Sequence, residues 1–104
     1  MKNILITGGN GFLGKNLKEL FLNSSVLIPT RSELNLLDIE NVKRYFKVNQ
    51  VEYIIHAAGN VGGIMHHKNN PATIMSENLQ MGINLIDAAA KVKVKKIIFI
   101  STVC

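Results

Sequence analysis

Residues 7–14 read Thr-Gly-Gly-Asn-Gly-Phe-Leu-Gly and follow directly on the apolar run Asn3-Ile4-Leu5-Ile6. No other stretch constrains the fold as strongly. A strand that runs into glycines and leaves as a helix aims backbone N–H groups and a helix N-terminus at a pyrophosphate. The glycines can be framed as Gly9-x-Gly11-x-x-Gly14 or as Gly8-x-x-Gly11-x-x-Gly14. With the strand ending at Thr7, the first turn glycine is Gly8. Gly11 then lets the backbone approach phosphates and Gly14 lets the helix pack close to the strand. Gly9 and Asn10 fill the turn, Phe12 and Leu13 open the helix, and the segment reads as a dinucleotide-binding loop.

The rest of the chain has the rhythm such a loop needs. Apolar runs of strand length recur at Asn3 to Thr7, Val26 to Ile28, Leu34 to Leu37, Tyr53 to His56 and Ile97 to Ile100. Most are continuous rather than alternating, as in strands covered on both faces. Helical patterns separate them. Phe12, Leu13, Leu17, Leu20 and Phe21 share one face of the first; Asp38 is the N-cap of a second, from about Ile39 to Lys47, with Val42, Tyr45 and Phe46 inward. The third starts near Pro71 and carries Met75, Leu79, Gly82, Ile83, Ile86 and Ala90 at helical spacing, with Gly82 as a site of close packing. Strands alternating with helices imply βαβ units. The expected fold is therefore α/β: a Rossmann-like parallel sheet with helices on both faces, ending after a fifth strand. Ligands then sit beyond the carboxyl ends of the strands, where residues 57–70 form a long loop.

At 104 residues there is room for one domain, and 47% hydrophobic with 18% charged residues is ordinary globular composition. No apolar stretch is long enough to cross a bilayer and none reads as a signal peptide, so a cytoplasmic protein with no membrane partner is expected. The single cysteine, Cys104, has no partner for an internal disulfide. The net charge of +5 raises the question of nucleic acid, because Lys91, Lys93, Lys95 and Lys96 crowd together. No aromatics interleave with them, and lysines suit a helix C-terminus. A solvated helix end is the preferred reading, with no nucleic-acid partner. His66 and His67 are adjacent and no Cys or carboxylate stands at ligand spacing, so no metal is expected. His56, closing a buried strand, reads as a hydrogen-bonded structural residue; His66 or His67 is a candidate contact for a substrate phosphate.

Beyond the second strand the chain reads Ile28-Pro29-Thr30-Arg31-Ser32-Glu33. An acidic residue near this point accepts the ribose hydroxyls of NAD, whereas an arginine holds the extra phosphate of NADP. Arg31 comes first, with Thr30 and Ser32 as phosphate donors, so NADP is preferred. Glu33 keeps NAD open.

The stretch from Thr7 to Gly14, together with His56-Ala57-Ala58-Gly59, resembles the extended short-chain dehydrogenase/reductase family, the NAD-dependent epimerases and dehydratases. Within it, the string Arg31-Ser32-Glu33-Leu34-Asn35-Leu36-Leu37-Asp38, the loop Val61-Gly62-Gly63-Ile64 and the pair Glu77-Asn78 are similar to the GDP-L-fucose synthase group. The likeness runs along the whole chain. It implies the N-terminal, cofactor-binding part of a nucleotide-sugar epimerase/reductase, acting on GDP-4-keto-6-deoxy-mannose by 3,5-epimerisation and NADPH reduction, in a homo-oligomer. It also implies site roles. Gly8 to Gly14 cradle the cofactor, Arg31 selects it, and Asp38 accepts from the adenine amino group or, equally, caps its helix. Ala57, Ala58 and Gly59 leave room for the ribose, and Val61 to Ile64 border the nicotinamide and the sugar. Asn78 supports the site or caps loop carbonyls. Thr102 binds the sugar's reacting oxygen, and Cys104 falls where the group has a cysteine serving epimerisation.

The family's Tyr-x-x-x-Lys pair has no counterpart here: Tyr45 and Tyr53 are followed four positions on by Asn49 and Ala57. Residues 1–104 are therefore expected to form an incomplete NAD(P)-binding Rossmann domain without the C-terminal substrate lobe, inactive alone. Its last strand would leave an open edge that favours self-association. Two alternatives stay open: an NDP-sugar 4-epimerase or dehydratase using NAD, and a non-catalytic NADP-binding module.

Overall fold

The computed structural model describes residues 3–8, 16, 25–57 and 71–100. Four strands, β1 (Asn3–Thr7), β2 (Ser25–Leu27), β3 (Tyr53–His56) and β4 (Lys96–Phe99), form one parallel sheet in the order β2-β1-β3-β4. Two helices are described, α1 (Ile39–Asn49) and α2 (Pro71–Val92). The helix expected over residues 12–21 lies outside the described residues except for Asn16, which is helical.

Burial follows the pleat. Leu5 and Ile54 point to the face that carries both described helices, where they meet Val42, Phe46, Met81, Leu85 and Ala88 in one cluster. Ile4, Ile6 and Ile55 point the other way and are buried as a second cluster. Burial on both faces explains why β1 and β3 are continuously apolar. Each fully buried Leu, Ile or Phe contributes about 1.5–3 kcal/mol relative to an exposed position, and Phe46, Leu5, Ile6, Ile54 and Leu85 are all below 2% exposed.

Three expectations change. Leu34 to Leu37 is not a strand but irregular chain leading into a turn at Leu36 and Leu37, so the last described strand is the fourth rather than the fifth. Leu34 and Leu36 are buried with the alternation of a strand. Their backbone bonds go elsewhere: Leu34 N donates to Thr30 O at 2.9 Å, and Asp38 N to Asn35 O at 3.0 Å. The Asn35 side chain accepts from Leu37 N at 3.1 Å, an Asx turn that competes successfully with a ladder.

The apolar row that marks α2 is the second change. Met75, Leu79, Ile83 and Ile86 are exposed, while Ile74, Met81, Leu85, Ala88 and Ala89 face the core. The third concerns Gly82. A Cβ there would meet Phe99 Cε1 at 3.7 Å, ordinary contact, so among the described residues crowding does not force the glycine.

Candidate functional site

In the order β2-β1-β3-β4 the chain moves one way from β1 to β2 and the other way from β1 to β3, so the switch point lies between β1 and β3. A crevice opens at the carboxyl ends of such neighbours. The register brings Thr7 opposite His56 and His56 opposite Phe99 along the carboxyl edge. Thr7 Oγ1 and His56 Nδ1 are 2.7 Å apart and both residues are buried. Ala57 N donates to Thr7 O at 3.0 Å, which extends the ladder one step toward the loops. The His56 ring meets Phe99 edge-on, with centroids 5.2 Å apart. Burial lowers the His56 pKa below its ordinary 6.5. Thr7 and His56 thus form the floor at this edge of the sheet.

Gly8 leaves this floor with φ 79°, a left-handed conformation that a side chain would strain. Ala57 leaves it from the adjacent strand. The two segments that flank the switch point are therefore tied together directly beneath it, by a main-chain bond and a side-chain bond through the same residue, Thr7.

Beyond β2, a turn places Arg31 on the surface. Glu33 closes that turn: its Oε1 accepts from Thr30 N at 2.9 Å, and its own N–H reaches Thr30 O at 3.1 Å. The hydrogen bonds from the Thr30 backbone and hydroxyl hold the Glu33 carboxyl below the usual range. Thr30 Oγ1 and Ser32 Oγ lie 3.0 Å apart. The two hydroxyls thus flank Arg31 while the nearest carboxylate is engaged with backbone.

Asp38 caps α1 as its sequence position suggests, accepting from Glu40 N at 3.2 Å and Asn41 N at 3.3 Å. Both bonds go to Oδ1. Asn78 lies in α2, half-buried and partnered. His56 has the structural hydrogen bond expected of it. Gly9, Asn10, Gly11, Phe12, Leu13, Gly14, Ala58, Gly59, Val61 to Ile64, His66, His67, Thr102 and Cys104 lie outside the described residues.

One residue that sequence reasoning missed organises this region. Asn84 is 5% exposed in the apolar heart of α2. Its Nδ2 donates to Leu36 O at 2.8 Å, and its Oδ1 accepts from Gln80 Nε2 at 2.8 Å. The Arg31–Asp38 segment is thereby pinned to α2 by a side chain 48 positions away from Leu36. A lone Asn on an otherwise apolar helical row was the available signal. Two other bonds complete the fastening, as Asn35 N donates to Asn41 Oδ1 at 2.6 Å and Leu37 N to Asn35 Oδ1.

The model of the family described as NAD dependent epimerase/dehydratase matches residues 4–104. The chain belongs to that family. Among its relatives, a GDP-L-colitose synthase of Yersinia pseudotuberculosis is 39% identical over 97% of the chain and 33% of its own length. The solved GDP-L-fucose synthetase from Naegleria fowleri bound to NADP superposes with a TM-score of 0.79 at 26% identity, over 94% of this chain and 30% of that one. The UDP-glucose 4-epimerase of Thermus thermophilus in complex with NAD superposes with 0.84 at 26% identity, over 96% and 37%. The chain spans about a third of the length of these relatives. The two solved relatives share this fold, one bound to NADP and the other in complex with NAD. The turn after β2 is where this chain can be told apart.

Proposed function

We propose that this chain is the dinucleotide-binding part of a nucleotide-sugar epimerase/reductase of the GDP-L-fucose synthase kind, and that its cofactor is NADP rather than NAD. The observation that carries the cofactor reading is the turn after β2, where Glu33 is committed to Thr30 N–H and Arg31 stands exposed between two hydroxyls. Glu33 has one carboxylate oxygen committed to the turn and only Oε2 left for ribose hydroxyls, whereas the exposed Arg31 suits a 2′-phosphate. Support for the GDP-linked substrate comes from the likeness to the colitose and fucose synthases.

The described residues fit the cofactor. Gly8 offers a backbone N–H at a position where a side chain would be strained, and Ala57 leaves space beside it for a ribose. Asp38 can accept the adenine amino group through Oδ2, since capping uses Oδ1 alone. Gly9 to Gly14, Ala58 and Gly59 would complete the cradle, with Asn78 supporting it. When bound, the cofactor supplies the hydride that reduces a keto-sugar. Thr102 would hold the sugar's reacting oxygen, and Cys104 would move a proton during epimerisation. The remaining proton transfer calls for a Tyr/Lys pair that the sequence does not contain.

The setting proposed is cytoplasmic; among the described residues no helix is long and apolar enough to cross a membrane. Self-association is proposed along β4, at one end of the described sheet, where Ile98 and Phe99 are about half exposed. Light scattering across a concentration series checks it, and a strict monomer contradicts it.

The cofactor assignment is tested by titrating the chain with NADPH and NADH and following nicotinamide fluorescence. A charge-assisted contact is worth about 1.5–3 kcal/mol, so NADPH should bind at least about tenfold more tightly, and Arg31→Ala should erase the difference. Equal affinities in the unaltered chain overturn it.

A further inference from the structure

On the outer side of the helical layer, away from the crevice, α1 and α2 run side by side with a groove between them. Glu40, Lys43, Arg44 and Lys47 lie at helical spacing along one stripe of α1, and Ala88, Lys91 and Val92 along the facing stripe of α2. Together they line a cavity of about 470 Å³. The buried Ala88 keeps the floor low. Four cations converge there from two helices, against Glu40, which reaches Lys43 only loosely at 3.9 Å, and Asp87 beside Lys91.

The lysine tetrad read from the sequence is divided by this arrangement. Lys95 pairs with Glu52 at 3.1 Å at the amino end of the sheet, whereas Lys91 turns into the groove. There Lys91 faces Lys43 across the groove, and that neighbouring cation holds its ammonium below the ordinary lysine range, with Asp87 and Glu40 opposing the effect. Two ammonium groups are donors only. Facing each other across the groove they repel, Glu40 at 3.9 Å from Lys43 offsets this only in part, and an anion with several oxygens between them relieves it.

We propose that the α1/α2 groove is a binding site for the phosphates of a small polyphosphate anion, with Lys43 and Lys91 bridging one phosphate and Arg44 and Lys47 along α1 receiving the next. The arginine fork and flexible lysines match phosphate oxygens. The half-buried Val92 gives a nucleoside an apolar contact, so pyrophosphate and a nucleoside triphosphate share this chemistry. The site is separate from the dinucleotide crevice. Lys91 is near the C-terminus of α2, which leads into the amino end of β4.

Isothermal titration calorimetry of the full chain with pyrophosphate, and separately with ATP, tests this. Saturable binding of one equivalent is expected, unchanged in excess NADPH, and weakened at least about tenfold in Lys43→Gln/Lys91→Gln. Lys95→Gln, which removes the same kind of charge elsewhere, should leave it unchanged. Tighter binding of ATP than of pyrophosphate assigns the groove to a nucleotide; the reverse assigns it to the inorganic anion. Absence of saturable binding, displacement by NADPH, or equal weakening by Lys95→Gln overturns the proposal. Because the groove variants are read with and without NADPH, failure of the cofactor reading leaves this result standing. Circular dichroism of the double variant shows whether its helices are retained, and Lys47→Gln, exposed on α1, is a second variant with the same expected direction.

Discussion

At the amino end of the sheet, Asn3 donates to the carbonyls of Asn49 and Gln50 at 2.7 and 3.2 Å, and Lys95 pairs with Glu52. At the carboxyl end, Thr7 bonds to His56 and Asn84 holds the Leu36 carbonyl beneath the turn after β2. The first set closes structure. Asn3 satisfies carbonyls that the end of α1 leaves over, and Glu52 N and Lys95 N extend the ladder through Asn3 O and Glu52 O. The second set is buried and adds to the main-chain bonds of segments that lead into loops. The difference teaches where function can reside. Polar groups at the amino end are half-buried or exposed and can be exchanged more cheaply, whereas Thr7, His56 and Asn84 are buried.

The contrast is sharpened first by Asn84→Leu. Losing its two hydrogen bonds leaves the buried Leu36 carbonyl unpartnered, at a cost of about 2–3 kcal/mol. NADPH affinity should fall with it, because the Arg31 turn is loosened. Urea unfolding and a cofactor titration on the same sample read both quantities, and a loss of stability with unchanged affinity would detach Asn84 from the site.

Next in size is Thr7→Val, which keeps the shape and leaves His56 Nδ1 without this partner, costing about 1–2 kcal/mol. The same ring sets a pH dependence. Burial lowers the folded-state pKa of His56 below the ordinary 6.5, so between these two values the unfolded chain binds the extra proton. Stability is full above pH 6.5 and is lost as pH falls through the window. Urea midpoints at pH 7.5 and 5.5 should differ in that direction, and His56→Gln should flatten the slope.

At the amino end the effects shrink. Asn3→Ala should cost about 1 kcal/mol and leave cofactor affinity untouched; an affinity loss there would break the division between the two ends. Smallest is Glu52→Gln. Its carboxylate is held below the usual range by the hydrogen bond from Lys95, whose side chain is largely solvated. Its midpoint shift should be slight and should vanish in high salt.

Much of this frame was legible in the residues. Continuous apolar runs gave β1, β2, β3 and β4 to within a residue or so, and Asp38 announced its helix by the chemistry of an N-cap. Leu34 to Leu37 misled because alternating burial is the signature of a strand only when the backbone bonds pair across. Here Asn35 and Asn84 take those bonds instead, and the second lies far away in sequence. In α2 two apolar rows coexist, and periodicity cannot say which one meets the sheet; the small Ala88 and Ala89 beside Leu85 make the closer fit. Among the proposed site residues, the turn at Gly8, the exposure of Arg31 and the cap at Asp38 follow from local pattern. Their common support through Thr7, His56 and Asn84 does not, because long-range hydrogen bonds leave no periodic trace.

The central claim is that the carboxyl end of the sheet, and not the amino end, receives NADP. A titration of the isotopically labelled chain with NADP, followed by backbone amide shifts, tests it most directly. The account predicts saturable shifts at Gly8, Thr30 to Glu33, Asp38 and Ala57, with Asn3, Val51, Glu52 and Lys95 unmoved. Shifts confined to Asn3, Glu52 and Lys95, or none at either end at millimolar NADP, would contradict it.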